Sequence, residues 1–150
     1  MLRKAITTLV VVTACMPKLI PGTEIEDNDD NQRILNVVET YRRSAEARDP
    51  EMLAALVSPT FYDDSGTPDT KDDLDPNSLK TRLAKEWGSR VKTVRLDIQV
   101  KKILVDGDSA RVRFFYTIRY QVGEAWKQEL DTKEMLLKRE AGAWKIISGV

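Results

Sequence analysis

The sequence contains no histidine and a single cysteine, Cys15. Without histidine there can be no serine–histidine or cysteine–histidine nucleophile pair and no imidazole ligand for a metal. With one cysteine no disulfide can form inside the chain, so an apolar core must hold the fold. An excess of either charge is also missing: 24 Lys and Arg face 24 Asp and Glu. Removal of residues 1–14 would take Arg3 and Lys4 with it, leaving 22 basic against 24 acidic side chains. Such a balance lacks the basic surface that displaces counterions from nucleic acid, so no nucleic-acid partner is expected. What remains is an ordinary globular mix for one domain: 150 residues, 41% hydrophobic and 32% charged.

The cysteine stands where an export signal would place it. Arg3 and Lys4 form a basic start, residues 5–14 are mostly apolar, and Met16, Pro17 and Lys18 end the run. The parts are those of a signal peptide, and the stretch falls far short of the roughly 20 residues of a membrane-spanning helix. Val12, Thr13, Ala14 and Cys15 resemble the lipobox of bacterial lipoproteins. The resemblance implies cleavage before Cys15, lipid on its thiol, and a membrane partner reached through that lipid; two or more acyl chains hold firmly. The expected location is the bacterial cell envelope, and Met16 after the cysteine is consistent with the outer membrane of a diderm cell. A signal peptide cut elsewhere is the plainer alternative. Residues 15–31 carry Pro17, Pro21, Gly22 and five acids, the composition of an extended, solvated tether.

From Gln32 the pattern is helical. Ile34, Val37, Val38, Tyr41 and Ala45 share one face. Asp49 and Pro50 read as a cap and first turn, followed by a short apolar helix through Met52, Leu53, Leu56 and Val57. Phe61, Tyr62 and Asp63 read as a brief strand. Asp75 and Pro76 repeat the cap before a third helix marked by Leu79, Leu83 and Trp87. After Gly88 the period becomes two. Val94, Leu96, Ile98 and Val100 alternate with polar residues, Asp106 and Gly107 signal a hairpin, and Ala110, Val112, Phe114, Tyr116, Ile118 and Tyr120 alternate on the next strand. Gly123 and Gly142 mark two more turns, around a strand over residues 126–139 and ahead of a last one at residues 144–147. Helices first and strands after give an α+β class, with three N-terminal helices covering an antiparallel sheet.

This order over residues 32–150 resembles the nuclear transport factor two-like superfamily, also called SnoaL-like or cystatin-like. The resemblance rests on the long first helix, Asp49 and Pro50, Phe61 and Tyr62, the third helix, and the ending Gly142, Trp144, Lys145 and Ile146. The family often has Asp before that glycine, where this chain has Ala141. The resemblance implies a curved sheet wrapped around helices, a cone with a pocket at its wide end. Members include isomerases, dehydratases and hydrolases as well as non-catalytic binding and dimerising domains, so the fold does not fix the chemistry.

Within such a cone Tyr41, Phe61, Tyr62, Phe114, Tyr116, Tyr120, Glu134 and Trp144 are the candidate pocket residues. They would either line a site for a small, largely apolar ligand or simply fill the core. Asp63, Asp64 and Glu134 are the acids available for acid–base work, yet no motif matches a catalytic member residue by residue, so no catalytic residue and no cofactor is assigned. Asp27, Asp29 and Asn31 imitate the start of a calcium loop, but Gln32 and Val38 stand where glycine and glutamate are needed, so no metal site is assigned. Arg111, Arg113 and Arg119 share one strand face with Phe115, with Asp97, Glu129 and Asp131 as candidate ion-pair partners. A phenylalanine among charges suits a protein contact, and family members often dimerise through this face. The expectation is an envelope-tethered binding or scaffolding domain, forming a homodimer; the alternative is an isomerase- or dehydratase-type enzyme using the cone.

Overall fold

The computed structural model describes residues 16–64, 67–89 and 91–150. The expected leader, residues 1–14, and the lipid acceptor Cys15 lie outside the described residues. Three helices, α1 (Asp29–Ala47), α2 (Pro50–Ala54) and α3 (Pro76–Ser89), precede four strands, β1 (Val91–Asp106), β2 (Ser109–Val122), β3 (Ala125–Glu140) and β4 (Ala143–Ser148). The strands form one antiparallel meander in the order β1-β2-β3-β4.

Helix α1 starts three residues before the apolar periodicity does. Asn28 caps it, its side chain accepting from the amide of Asn31 at 2.9 Å, and Asp29 and Asp30 place negative charge at the positive end of the helix dipole. The segment before it is not an extended tether. The amide of Asp27 donates to the carbonyl of Lys18 at 2.6 Å, Lys18 and Asp27 pair through their side chains, and Ile25 is buried. Asn31 donates to the carbonyl of Glu26 at 2.8 Å. Burial of Ile25 and this polar network offset the cost of ordering a segment whose prolines and charges alone favour solvation. The residues spaced like a calcium loop thus serve the helix start.

Asp49 caps α2 as its sequence predicts, accepting from Met52 at 3.0 Å, with Pro50 in the first turn. Asp75 and Ser78 cap α3 reciprocally: the Ser78 amide donates to Asp75 at 2.7 Å and the Asp75 amide to the Ser78 hydroxyl at 2.8 Å. Phe61, Tyr62 and Asp63 form no strand. Asp63 bridges only Leu74, through paired backbone bonds of 3.0 and 2.8 Å, and Phe61 drops into the core.

The core lies between the helices and one face of the sheet. Ile34 and Val38 of α1, Leu53 of α2 and Leu79 of α3 meet Val112, Phe114, Met135, Leu137, Trp144 and Ile146. Fully burying side chains of this size contributes roughly 1.5–3 kcal/mol each. The start of α1 is fastened to the sheet by Arg139, which pairs with Asp30 at 2.8 Å and lies over the Trp144 ring at 4.6 Å. Two other contacts fasten α1 to β1: Glu46 accepts from the Leu96 amide at 3.0 Å, and the Arg48 guanidinium donates to the Val91 carbonyl. On the opposite side, the backbone of residues 56–62 bonds to Ile146 and Ile147 of β4.

Candidate functional site

Sheet register decides which side chains can reach the concave side. Val112, Phe114 and Tyr116 of β2 stand opposite Met135, Lys133 and Asp131 of β3, so these odd-numbered β3 positions face inward. Even-numbered Glu134 faces outward, where its carboxylate lies 3.4 Å from Arg111 and 3.5 Å from Arg113. The concave surface is covered by helices at the Met135 end and opens into a cavity of 510 Å³ beyond it.

Tyr41 of α1, Leu53 of α2, Leu79, Leu83 and Trp87 of α3, and Leu74 form most of the cavity's apolar wall. Four charged side chains join it: Asp63, the Arg82 and Glu86 pair joined at 2.8 Å, and Lys133. The Lys133 ammonium donates to the carbonyl of Val150 at 3.0 Å and sits 5.8 Å from the centre of the Tyr116 ring. The remaining wall is the chain after β4. The amide of Gly149 donates to Asp63 at 3.0 Å, and its backbone passes so close to β3 that a Cβ would lie 2.1 Å from the Glu134 carbonyl oxygen. With φ +87 as well, only glycine fits there. This close passage also brings the Glu134 backbone to the cavity wall while its carboxylate turns away.

Part of Tyr41 reaches solvent, but its phenol is enclosed enough that burial, with Tyr116 adding to it, pushes the pKa up to about 12. Among the described residues no hydrogen bond engages either the Tyr41 or the Tyr116 hydroxyl. The Tyr116 pKa is raised too, by burial first and then by Asp131 and Glu129. The cavity therefore holds the neutral Tyr41 phenol, one ammonium, the Asp63 carboxylate and one guanidinium–carboxylate pair against an apolar wall. That set can orient a small molecule by hydrogen bonds.

The candidate pocket residues separate into three groups. Tyr41 lines the cavity, and Glu134 does so beside the chain end. Phe61, Phe114 and Trp144 are packed in the core, with Tyr116 against its margin. Tyr62 and Tyr120 each hold a carboxylate: Tyr62 donates to the half-buried Asp73, and Tyr120 donates to the exposed Glu129 at 2.7 Å. Both phenol pKa values are raised, with the hydrogen bond the largest cause. Lys133, Arg82 and Glu86 were missed by sequence reasoning. For Lys133 a signal existed, since it lies two residues before Met135 on an alternating strand; for the helical pair it did not.

The other face of the sheet is broad and mixed. Phe115 is half-buried there, between Gln99 and Thr132, and Leu130 beside Thr117 is 54% exposed. Leu104 and Leu136 flank Arg111 farther along. Arg111 and Arg113 find Glu134 rather than Glu129 or Asp131, because those two acids face inward, and among the described residues Arg119 finds no acid.

Residues 30–149 match the calcium/calmodulin dependent protein kinase II association domain family. The chain belongs to that family. Its fold is nuclear transport factor 2-like, as the solved structures it resembles agree. A conserved protein from Planctomyces limnophilus is 15% identical and superposes with a TM-score of 0.70 over 80% of this chain and 92% of its own. A nuclear transport factor 2-like superfamily protein from Salmonella enterica is 15% identical, with a TM-score of 0.68 over 79% and 86%. A protein from Novosphingobium aromaticivorans, provisionally assigned as a scytalone dehydratase, is 15% identical, with a TM-score of 0.66 over 80% of each chain. At such identities these likenesses establish the fold alone. No curated protein matches the association-domain chain in sequence.

Proposed function

We propose that this association-domain chain is a lipid-anchored module of a bacterial cell envelope, whose outer sheet face pairs with a second copy. The observation that carries the pairing is Leu130, more than half exposed beside Phe115 on a broad sheet face. Exposed apolar groups rimmed by polar ones mark protein contacts. The family name, association domain, supports the same reading. The anchor rests on Cys15 and the export pattern before it. Because residues 18–27 fold against α1, only Met16 and Pro17 stand between Cys15 and that folded segment. Lipid there would hold the domain within roughly 10 Å of the bilayer.

Two substitutions test the two halves separately. Cys15→Ser should move the protein from the membrane fraction to the soluble one; retention in the membrane would sink the anchor. The full chain carrying Cys15→Ser should sediment as a dimer, and adding Leu130→Glu should yield monomers with an unchanged melting temperature. A monomer before that change would sink the pairing.

A second reading, a binding or isomerase/dehydratase-type site in the cone, is favoured by the unengaged Tyr41 hydroxyl inside an open cavity. The carboxylates nearest Tyr116 and Tyr120 in register, Asp131 and Glu129, are exposed rather than buried, which favours binding over proton transfer. Native mass spectrometry of the gently purified protein addresses it: added mass lost on denaturation supports an occupied cone.

A further inference from the structure

Past Leu130 the outer sheet face ends in a groove of 360 Å³ lined by Arg95 of β1, Arg119 of β2, and Trp126, Lys127 and Gln128 of β3. Arg95 and Arg119 are direct cross-strand partners, and Gln128 stands on the other side of Arg119. Like charges opposed on neighbouring strands repel. Elsewhere on this face the same crowding is relieved, since Arg111 and Arg113 share Glu134. Here it is not: among the described residues no hydrogen bond or ion pair engages the side chain of Arg95 or Arg119. Asp97 lies on the same face, two residues along β1 and opposite Thr117, and makes no ion pair with either arginine. A chain with as many acids as bases has thus set two opposed guanidiniums in one groove with no acid in its wall, while Lys127 stands at an inward-facing position of β3. The indole of Trp126, 55% exposed, forms the end of the groove.

We propose that this groove binds a phosphate-type oxyanion carried on a small apolar or aromatic group. Guanidinium forks match phosphate oxygens in pairs, and two forks side by side can grip one phosphate from two directions. A phosphomonoester carries about −1.5 to −2 charge at pH 7, which suits two unpaired guanidiniums better than the single charge of a carboxylate. The Trp126 ring supplies an apolar surface with a polar edge for the group that bears the phosphate. Two cations in a short groove are too few for a nucleic-acid backbone, whose binding depends on neutralising many phosphates.

The test uses the full chain carrying Cys15→Ser, so that the lipid anchor plays no part. Phenyl phosphate, inorganic phosphate and benzoate are titrated by calorimetry and by tryptophan emission. Phenyl phosphate should bind, with benzoate roughly tenfold weaker or more. Arg95→Gln and Arg119→Gln should each weaken phenyl phosphate by about tenfold, whereas Arg113→Gln, on the same face but paired with Glu134, should leave it unchanged. All three side chains are exposed, so melting temperatures should not move. Flotation with phosphatidylcholine vesicles, with and without phosphatidic acid, distinguishes the source. Flotation that requires phosphatidic acid and is abolished by Arg95→Gln assigns the phosphate to a lipid headgroup; phenyl phosphate binding without such flotation assigns it to a soluble ester. No phenyl phosphate binding, or an equal loss in Arg113→Gln, overturns the proposal.

Discussion

The two halves of β3 obey the same alternation and meet different fates. From Lys133 to its end, the inward positions Met135 and Leu137 are completely buried; from Ala125 to Thr132, every residue is exposed. The difference lies outside the strand. Helices α1 and α2 cover the sheet over Val112 and Phe114, and no helix covers the stretch where Glu129 and Lys127 face inward. Alternation therefore gives a strand its two faces, but burial depends on what stands opposite. The covered end holds the molecule together, and the open end carries the cavity margin, Leu130 and the arginine groove.

If that division holds, substitutions at the two ends should differ sharply. Phe114→Ala, at the covered end, should cost about 3–5 kcal/mol in denaturant unfolding. Tyr120→Phe, which removes only an exposed hydrogen bond to Glu129, should stay within about 0.5 kcal/mol. Comparable losses would mean that the open end is a hidden part of the core.

Gly149 tests the boundary between the halves. Gly149→Ala forces a side chain toward the Glu134 carbonyl in a left-handed conformation, at roughly 1–3 kcal/mol. The cheapest relief is for the chain end to lift from β3. Amide exchange should therefore speed up at Gly149 and Val150 and stay slow at Met135. Uniform speeding would show that the chain end and the core unfold as one unit.

The smallest effects should come with pH, and with opposite signs at the two ends. Asp30 is held below its ordinary pKa, first by the hydrogen bond from Arg139. The fastening of α1 is thus fully present above the unfolded carboxylate pKa and is lost as pH falls through the lower folded value. Tyr41 is raised to about 12 by burial, so its contribution is full below the unfolded tyrosine pKa of roughly 10 and is lost as pH rises toward 12. Melting curves of Asp30→Asn should lose part of the acid dependence, and those of Tyr41→Phe part of the alkaline dependence. A Tyr41→Phe protein as alkali-sensitive as its parent would mean that the phenol is solvated.

Much of the architecture was legible because local signals agreed with one another: Asp49 with Pro50, Asp75 with Pro76, and a helical period followed by a period of two. Three features were not. The fold of residues 18–27 depends on a docking surface at the start of α1, which composition cannot reveal. Phe61 and Tyr62 read as strand residues because both are aromatic, yet one fills the core and the other faces solvent. Glu134 was expected in the cone because it lies among pocket elements, but its phase opposite to Met135 directs the carboxylate outward. Strand parity could have corrected that last reading; the open end of the cone could not have been seen without knowing where the helices stop.

The edges of the sheet set a limit on how copies of this chain can join. A bare strand edge offers backbone donors and acceptors to any passing strand and can be extended without end. Here Glu46 and Arg48 occupy the first part of the β1 edge, and an irregularity between Val100 and Lys102, bearing two exposed lysines, interrupts the remainder. Residues 56–62 occupy the β4 edge. Growth by adding strands is thus hindered at both borders, which agrees with face-to-face contact, closing on itself, as the form of the pairing proposed above.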